Sequence, residues 1–456
     1  VKICSLYGVG YYYIPGTDTC IKIGGYVRWE GYHNAQQGAY VDGNAGGAFT
    51  RANNTWAMQA RFRLTTDVRT QTEYGTLRSY FAFGVNALNL ANEVAYGAAN
   101  TTVSMERAFI QFAGFTIGRS DTFFAFYNGA AYGLVPLRFD GSSGPGGLNV
   151  AAYTWQFGNG LSASLSLEDA SNFGAPVIDL ANAVAANVNA DDRAGQAWPN
   201  IVGNLRVDQA WGSAQIMGAL HRVAARYHQA DGNPACAGNV TGCAYPGDEL
   251  GWAVGAGLTL KMPWDAKDTL SGVIAYGEGA SRYVSSLQGN NFIHKQGVAV
   301  GTVSDGVFAN PGVAGLNGGI ELTEVWGGTI AFEHYWTPSL RTSWVAGYMN
   351  VSYNDNAKAL IAAGNCVGAT VGTVALTNVS NCNPDWSAYR LASRTMWNPV
   401  RNLDVGLEVA YSKVDTAYAG TATTGLAAQN LATGPYAIED QSFWTATVRV
   451  QRSFWP

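Results

Sequence analysis

Polar and apolar residues alternate along this chain with a period of two. In residues 55–69, TWAMQARFRLTTDVR, Trp56, Met58, Ala60, Phe62, Leu64, Thr66 and Val68 fall on one parity. Thr55, Gln59, Arg61, Arg63, Thr65, Asp67 and Arg69 fall on the other, and only Ala57 blurs the division. Such a period sends successive side chains to opposite faces of a strand. Two solutions share this pattern. In a soluble sandwich the apolar face is the core and the arginines meet bulk water. In a membrane barrel the apolar face meets lipid and the arginines point inward.

The alternation recurs in IKIGGYVRWE (21–30), TLRSYFAFGV (76–85), LSASLSLE (161–168), LDVGLEVAYS (403–412) and WTATVRVQRSF (444–454). Sixteen strands are predicted, near 21–32, 55–69, 74–85, 104–113, 115–120, 150–157, 161–168, 199–208, 211–226, 250–262, 269–283, 322–336, 339–351, 385–397, 402–414 and 441–454. The gaps after odd strands are long and those after even strands are tight, for example Gly158–Gly160 and Thr337–Ser339. Long loops on one rim, short turns on the other and an even strand number describe an antiparallel, all-β transmembrane barrel. Residues 21–456 form this barrel, and residues 1–20 form a separate N-terminal segment.

Composition agrees. Only 13% of the 456 residues are charged, glycine numbers 56 and aromatics reach 12%. A typical soluble domain carries about 25% charged residues. Mean hydropathy is −0.03, and no run of 18 apolar residues suggests a membrane helix. That absence leaves a barrel open, because barrel strands alternate over about ten residues. The start, VKICSLYG, has no basic stretch leading into an apolar run, and is read as a processed or truncated form. A net charge of −5 without a basic cluster gives no reason to expect a nucleic-acid partner.

The six cysteines fall in local pairs, Cys4 with Cys20, Cys236 with Cys243 and Cys366 with Cys382. Six cysteines allow fifteen connectivities. Three local disulfides are the favoured arrangement, which implies an oxidising compartment. Segment 121–149 carries four aromatics in the six residues 122–127, and the strand before it, 115–120, is too short, since spanning takes about 9–11 residues. The chain is therefore expected to leave the wall part-way up, with this third long loop folding into the lumen.

No catalytic motif is present. His33, His221, His228, His294 and His334 form no HExxH, and neither G-x-S-x-G nor a phosphate-binding loop occurs. His221 reads as a hydrogen-bonded wall residue, and no metal or cofactor is expected. The notable constellation is basic: Arg28, Arg61, Arg63, Arg78 and Arg107, one or two to a strand on the first four strands. Antiparallel pairing is expected to bring them to a similar level on one wall. Clustered arginines need water or carboxylate partners, for which Asp67, Glu106 and loop acids are available. Asp121 and Asp140, with Arg138 between them, would face the arginines across a constriction. Sixteen strands enclose more space than side chains fill, which favours an open, water-filled channel with a transverse field.

The stretch ICSLYGVGYYYIPGTDTCIKIGGYVR resembles the start of the alphaproteobacterial general porins, carried by Cys4, Tyr7, Gly8, Gly10, Tyr12 to Thr17, Thr19, Cys20 and Gly25 to Arg28. ERAFIQFAGFTIGRSDTFF (106–124) and VRVQRSF (448–454) resemble the family more loosely. The resemblance implies a Cys4–Cys20 disulfide and a homotrimeric, 16-stranded pore of the bacterial outer membrane. Such a pore passes small hydrophilic solutes and ions and sits among outer-membrane lipid and lipopolysaccharide. A substrate-specific outer-membrane channel is the alternative; a rim hydrolase lacks a convincing histidine site, and an adhesin has no need of inner arginines. The chain departs from the family at its end, where Trp455 and Pro456 follow Phe454.

Overall fold

A computed structural model describes residues 2–34, 56–89, 100–126, 141, 146–171, 173–180, 192–226, 246–285, 291–294, 297–308, 319–365, 370–371, 374–424 and 434–454. Sixteen wall strands follow one another around a closed ring: β1 (Cys20–His33), β2 (Trp56–Thr72), β3 (Gly75–Asn89), β4 (Asn100–Phe112), β5 (Phe115–Ser120), β6 (Leu148–Gly158), β7 (Leu161–Glu168), β8 (Asn200–Gln209), β9 (Gly212–Ala224), β10 (Asp248–Lys261), β11 (Thr269–Glu278), β12 (Glu321–Thr337), β13 (Leu340–Tyr353), β14 (Trp386–Trp397), β15 (Leu403–Asp415) and β16 (Gln441–Ser453). Every neighbouring pair is antiparallel, and β16 pairs with β1, from Tyr26↔Ser453 to His33↔Ala446, to close the ring. Closure gives each wall strand a hydrogen-bonded neighbour on both sides, the condition for crossing lipid.

The strand pattern of the sequence reappears here, β5 and β7 with the bounds expected of them. One strand differs. The run predicted to continue to residue 283 stops at Glu278, and Ser281–Tyr283 turn inward as a short 3-10 turn. Gly279, at φ 65°, makes the break; its left-handed backbone suits glycine and ends the ladder.

The apolar parity is the outside. Ile216, Ile274, Ile330 and Leu407 are exposed at mid-strand. Exposed aromatics cluster at both ends of this band: Tyr74, Phe157, Trp211, Trp264, Trp336 and Trp397 near the short turns, and Trp56, Trp326, Tyr348 and Trp444 near the long loops. Two aromatic girdles mark the water–lipid boundaries of an outer-membrane barrel.

The long connections build structure of their own. Strands Asn291–His294, Gly297–Val300, Thr370–Val371, Val374–Asn381, Ala419–Thr424 and Pro435–Ile438 make a second, six-stranded sheet. Helix α1 (Asp355–Asn365) follows β13. Val177–Asp179 and Gly306–Phe308 pair in parallel, and the latter joins the upper end of β12. Val298, Val300 and Leu376 are buried in this outer layer.

At the opposite rim, the Cys4–Cys20 disulfide closes the N-terminal segment. Cys382 is also disulfide-bonded; Cys236, Cys243 and Cys366 lie outside the described residues. Arg69 lies over the Tyr7 and Tyr11 rings. Burial, then the hydrogen bond to Asp67, push the Tyr11 phenol up to about 12, so it stays a neutral donor.

Candidate functional site

The basic wall begins where β1 and β2 pair. Arg28 stands directly opposite Arg61, and Tyr26 opposite Arg63. Strict alternation sends all of these inward, because Val27, Trp29 and Phe62 occupy the exposed parity. Two guanidiniums side by side demand negative charge or water. Glu106 on β4 supplies the charge: it ion-pairs with Arg61 and, at 2.7 Å, with Arg63. Arg61 also donates to the Tyr26 hydroxyl at 3.0 Å and to Asn86.

Glu106 reaches the lumen through an irregularity. Ala82 pairs with Arg107 and Phe83 with Met105, so Glu106 is an extra residue on β4. This bulge lets two consecutive residues, Glu106 and Arg107, both face inward, while Met105 and Ile110 stay exposed outside. Arg107 then meets Asp121 at 3.5 Å.

Arg78 lies elsewhere. It pairs with Arg69 across β2 and β3, whereas Arg63 pairs with Gly84. Six residues of strand separate Gly84 from Arg78, about 20 Å at ~3.3 Å per residue. The expected common level therefore does not extend to Arg78. Its partner is Asp67 at 2.8 Å, which Arg69 shares at 2.9 Å.

A second run of charge extends the basic wall the other way round the ring. Glu30 is shared by Arg28 at 3.8 Å and by Arg449 of β16. Glu333 of β12 is shared by Arg341 at 3.6 Å and Arg394 at 3.2 Å, and Arg390 pairs with Glu408 at 2.9 Å. The basic residues expected on the inner wall end at β4, and Arg341, Arg390, Arg394 and Arg449 are not among them. Their signal was present: Arg390 and Arg394 share the polar parity of YRLASRTMW. Among the described residues four carboxylates, Asp67, Glu106, Glu30 and Glu333, thus each meet two arginines.

The third long loop starts at Asp121 and crosses inner-wall residues. Asn204 of β8 donates to the Phe123 carbonyl at 2.6 Å, and Gln215 of β9 to the Ala125 carbonyl at 3.3 Å. The Phe126 ring lies against Gly257 of β10 and 5.2 Å from the Arg206 guanidinium. Phe124 is wholly buried. Residues 121–126 therefore run along the inner face of β7 to β10. Asp121 contacts Arg107 directly instead of facing it across a gap; Asp140 and Arg138 lie outside the described residues. His221 is a buried wall residue hydrogen-bonded to Asn200. Among the described residues no group of three or more His, Cys, Asp or Glu is placed to hold a metal.

A family profile described as "Porin subfamily" matches residues 1–446. The chain belongs to this porin family. Porin Omp2b of Brucella suis is 29% identical over 219 residues, which is 47% of this chain and 55% of that protein. Porin Omp2a of Brucella ovis is 29% identical over 226 residues, 47% of this chain and 58% of that protein. The chain thus spans just over half the length of these curated relatives. Among solved structures, the outer membrane channel DcaP of Acinetobacter baumannii superposes with a TM-score of 0.61 at 14% identity, over 97% of this chain and 99% of that one. At that identity the likeness speaks for the barrel fold. Family and fold together place this porin in the bacterial outer membrane, and the names its relatives carry are those of channels.

Proposed function

We propose that this porin is a passive diffusion channel for small hydrophilic solutes and ions, not an enzyme. It works as a homotrimer among outer-membrane lipid and lipopolysaccharide. Arg28, Arg61, Arg63 and Arg107 line its constriction, with residues 121–126 on the facing wall. Arg78 guards the end nearer the short turns, and Asp140 joins Asp121 as a loop acid. The observation that carries this reading is the sharing of one carboxylate by two arginines on an inner wall. A buried core has no use for such a surplus of positive charge, whereas a hydrated lumen tolerates it. A fixed field across the lumen orients dipolar solutes and holds ordered water that apolar solutes must disrupt. Cyclic closure suits identical barrels packed side by side.

Purified protein in a planar bilayer under a salt gradient tests this. Stepwise openings in multiples of three are expected, and silence at high protein overturns the pore reading. Arg61→Glu with Arg63→Glu should move the reversal potential toward cation preference. An unmoved potential removes these residues from the constriction. Saturable conduction for one solute class would favour a substrate-specific channel instead.

A further inference from the structure

Glu168 stands apart from the other inner-wall carboxylates. Glu30, Asp67, Glu106, Glu333 and Glu408 each meet an arginine. Glu168, wholly buried at the end of β7, instead receives the Phe123 N–H at 2.8 Å on one oxygen and the Thr122 hydroxyl at 2.7 Å on the other. Thr122 in turn accepts the Phe124 N–H at 3.1 Å. A buried carboxylate costs free energy unless it is fully hydrogen-bonded. Its donors here come from the first residues of the constriction loop, which ties their position to that of Glu168.

The hydrogen bonds continue outward. The Tyr283 hydroxyl donates to the same Glu168 oxygen at 3.5 Å and accepts from Asn200 Nδ2 at 2.9 Å. Asn200 Oδ1 meets His221 Nδ1 at 2.8 Å, and His221 Nε2 lies 3.4 Å from Asp305. Asp305 is also wholly buried. It accepts the Ser281 N–H at 2.8 Å, the Ser281 hydroxyl at 2.7 Å and the Ala175 N–H at 2.6 Å. Its own N–H donates to the Pro176 carbonyl. Two outer connections, one before β8 and one before β12, thus meet at Asp305. Two residues beyond Ser281, the Tyr283 ring packs 5.1 Å from Phe124.

We propose that Glu168, Tyr283, Asn200, His221 and Asp305 act as one set of positioning residues that couples the outer connections to the seat of residues 121–126. The proposal rests on the pore reading above. A shift of the paired outer segments 177–179 and 306–308 is transmitted through Asp305 and the Ser281–Tyr283 turn to the constriction. Asp305 therefore influences conduction without touching residues 121–126.

Single-channel recording of the full chain, with Glu168→Gln, Asp305→Asn and Thr122→Val, tests this. Loss of a hydrogen bond to a charged group shifts a two-state population by about tenfold or more. Each variant is therefore expected to raise the fraction of time in reduced-conductance states by about tenfold. Thr122→Ser, which keeps the hydroxyl that Glu168 accepts, should recover most of what Thr122→Val loses. Glu168→Gln combined with Asp305→Asn should exceed neither alone, because residues in one network do not act additively. Parental behaviour of Asp305→Asn beside an altered Glu168→Gln overturns the coupling, as does fully additive behaviour. Should Asp305→Asn fail to assemble, His221→Asn interrupts the same chain at its middle. A spin label on Ala125→Cys gives a reading independent of conduction: its mobility should rise in both variants. Silent parental channels with that mobility response would overturn the pore reading and leave the coupling standing.

Discussion

Glu106 owes its position to the bulge in β4 and its surroundings to Arg61 and Arg63. A unit charge about 4 Å from a permeating ion is worth about 1 kcal/mol in water. Glu106→Gln is therefore expected to raise the anion-to-cation permeability ratio by about fivefold at low salt, read as a reversal potential. An unchanged ratio would mean that ions do not pass near this group. In the turn before β11, burial alone would raise the carboxyl of Asp268. The Tyr335 N–H at 2.8 Å, His334 at 2.6 Å and the Trp264 indole N–H at 2.8 Å outweigh burial and hold it below the usual range. Because the folded value lies below the unfolded one, the stability it contributes is complete above about pH 4 and is lost as pH falls through the folded value. Unfolding temperature measured against pH should fall there, and Asp268→Asn should flatten that acid limb. Residue types and parity were legible in the sequence for Arg28, Arg61 and Arg63. Glu106 was legible as a partner for them, but not the bulge that turns it inward beside Arg107, because a bulge depends on the pairing register with β3 and leaves no mark in composition.

Strands were the legible elements, since each carries its own alternation. β5 announced itself by being short, and the early exit of the chain after Ser120 followed. The loops were legible only as loops. The second sheet is built from pieces of connections far apart in sequence, such as Gly297–Val300 with Pro435–Ile438. Most of these pieces are only two to six residues long, the eight of Val374–Asn381 do not alternate, and their partners are set by tertiary proximity. The N-terminal segment is an element fixed by a covalent bond. A closed loop of about 15 residues contributes about 3 kcal/mol through the unfolded state, and Cys4–Cys20 spans a separation of 16. Cys4→Ser with Cys20→Ser should lower stability in denaturant by about that amount. The conductance of the assembled barrel should stay unchanged, since Arg61 and Arg63 lie away from this rim. Altered conductance would show that the segment reaches the pore.

At the scale of the molecule, the barrel exchanges the roles of surface and interior. Ile330, exposed at the middle of β12, has lipid as its solvent. Arg on the lipid face at the midplane costs about 2–4 kcal/mol. Ile330→Arg should destabilise the barrel by that amount in denaturant titrations in vesicles, and a neutral result would remove this face from the membrane. Net charge hid the inner wall altogether. The chain is acidic by five charges, yet four of its inner carboxylates, Glu30, Asp67, Glu106 and Glu333, each meet two arginines. Averages over a sequence discard the parity that separates the faces.

The irregularity in β4 bears on how such a pore changes between generations. Substitution swaps one side chain for another and leaves the faces where they are. Loss of a single codon at position 106 does more: it restores strict alternation, removes the counter-charge of Arg61 and Arg63, and leaves the lipid face as it was. For this porin, the length of a strand, not only its spelling, is a heritable setting of the charge inside.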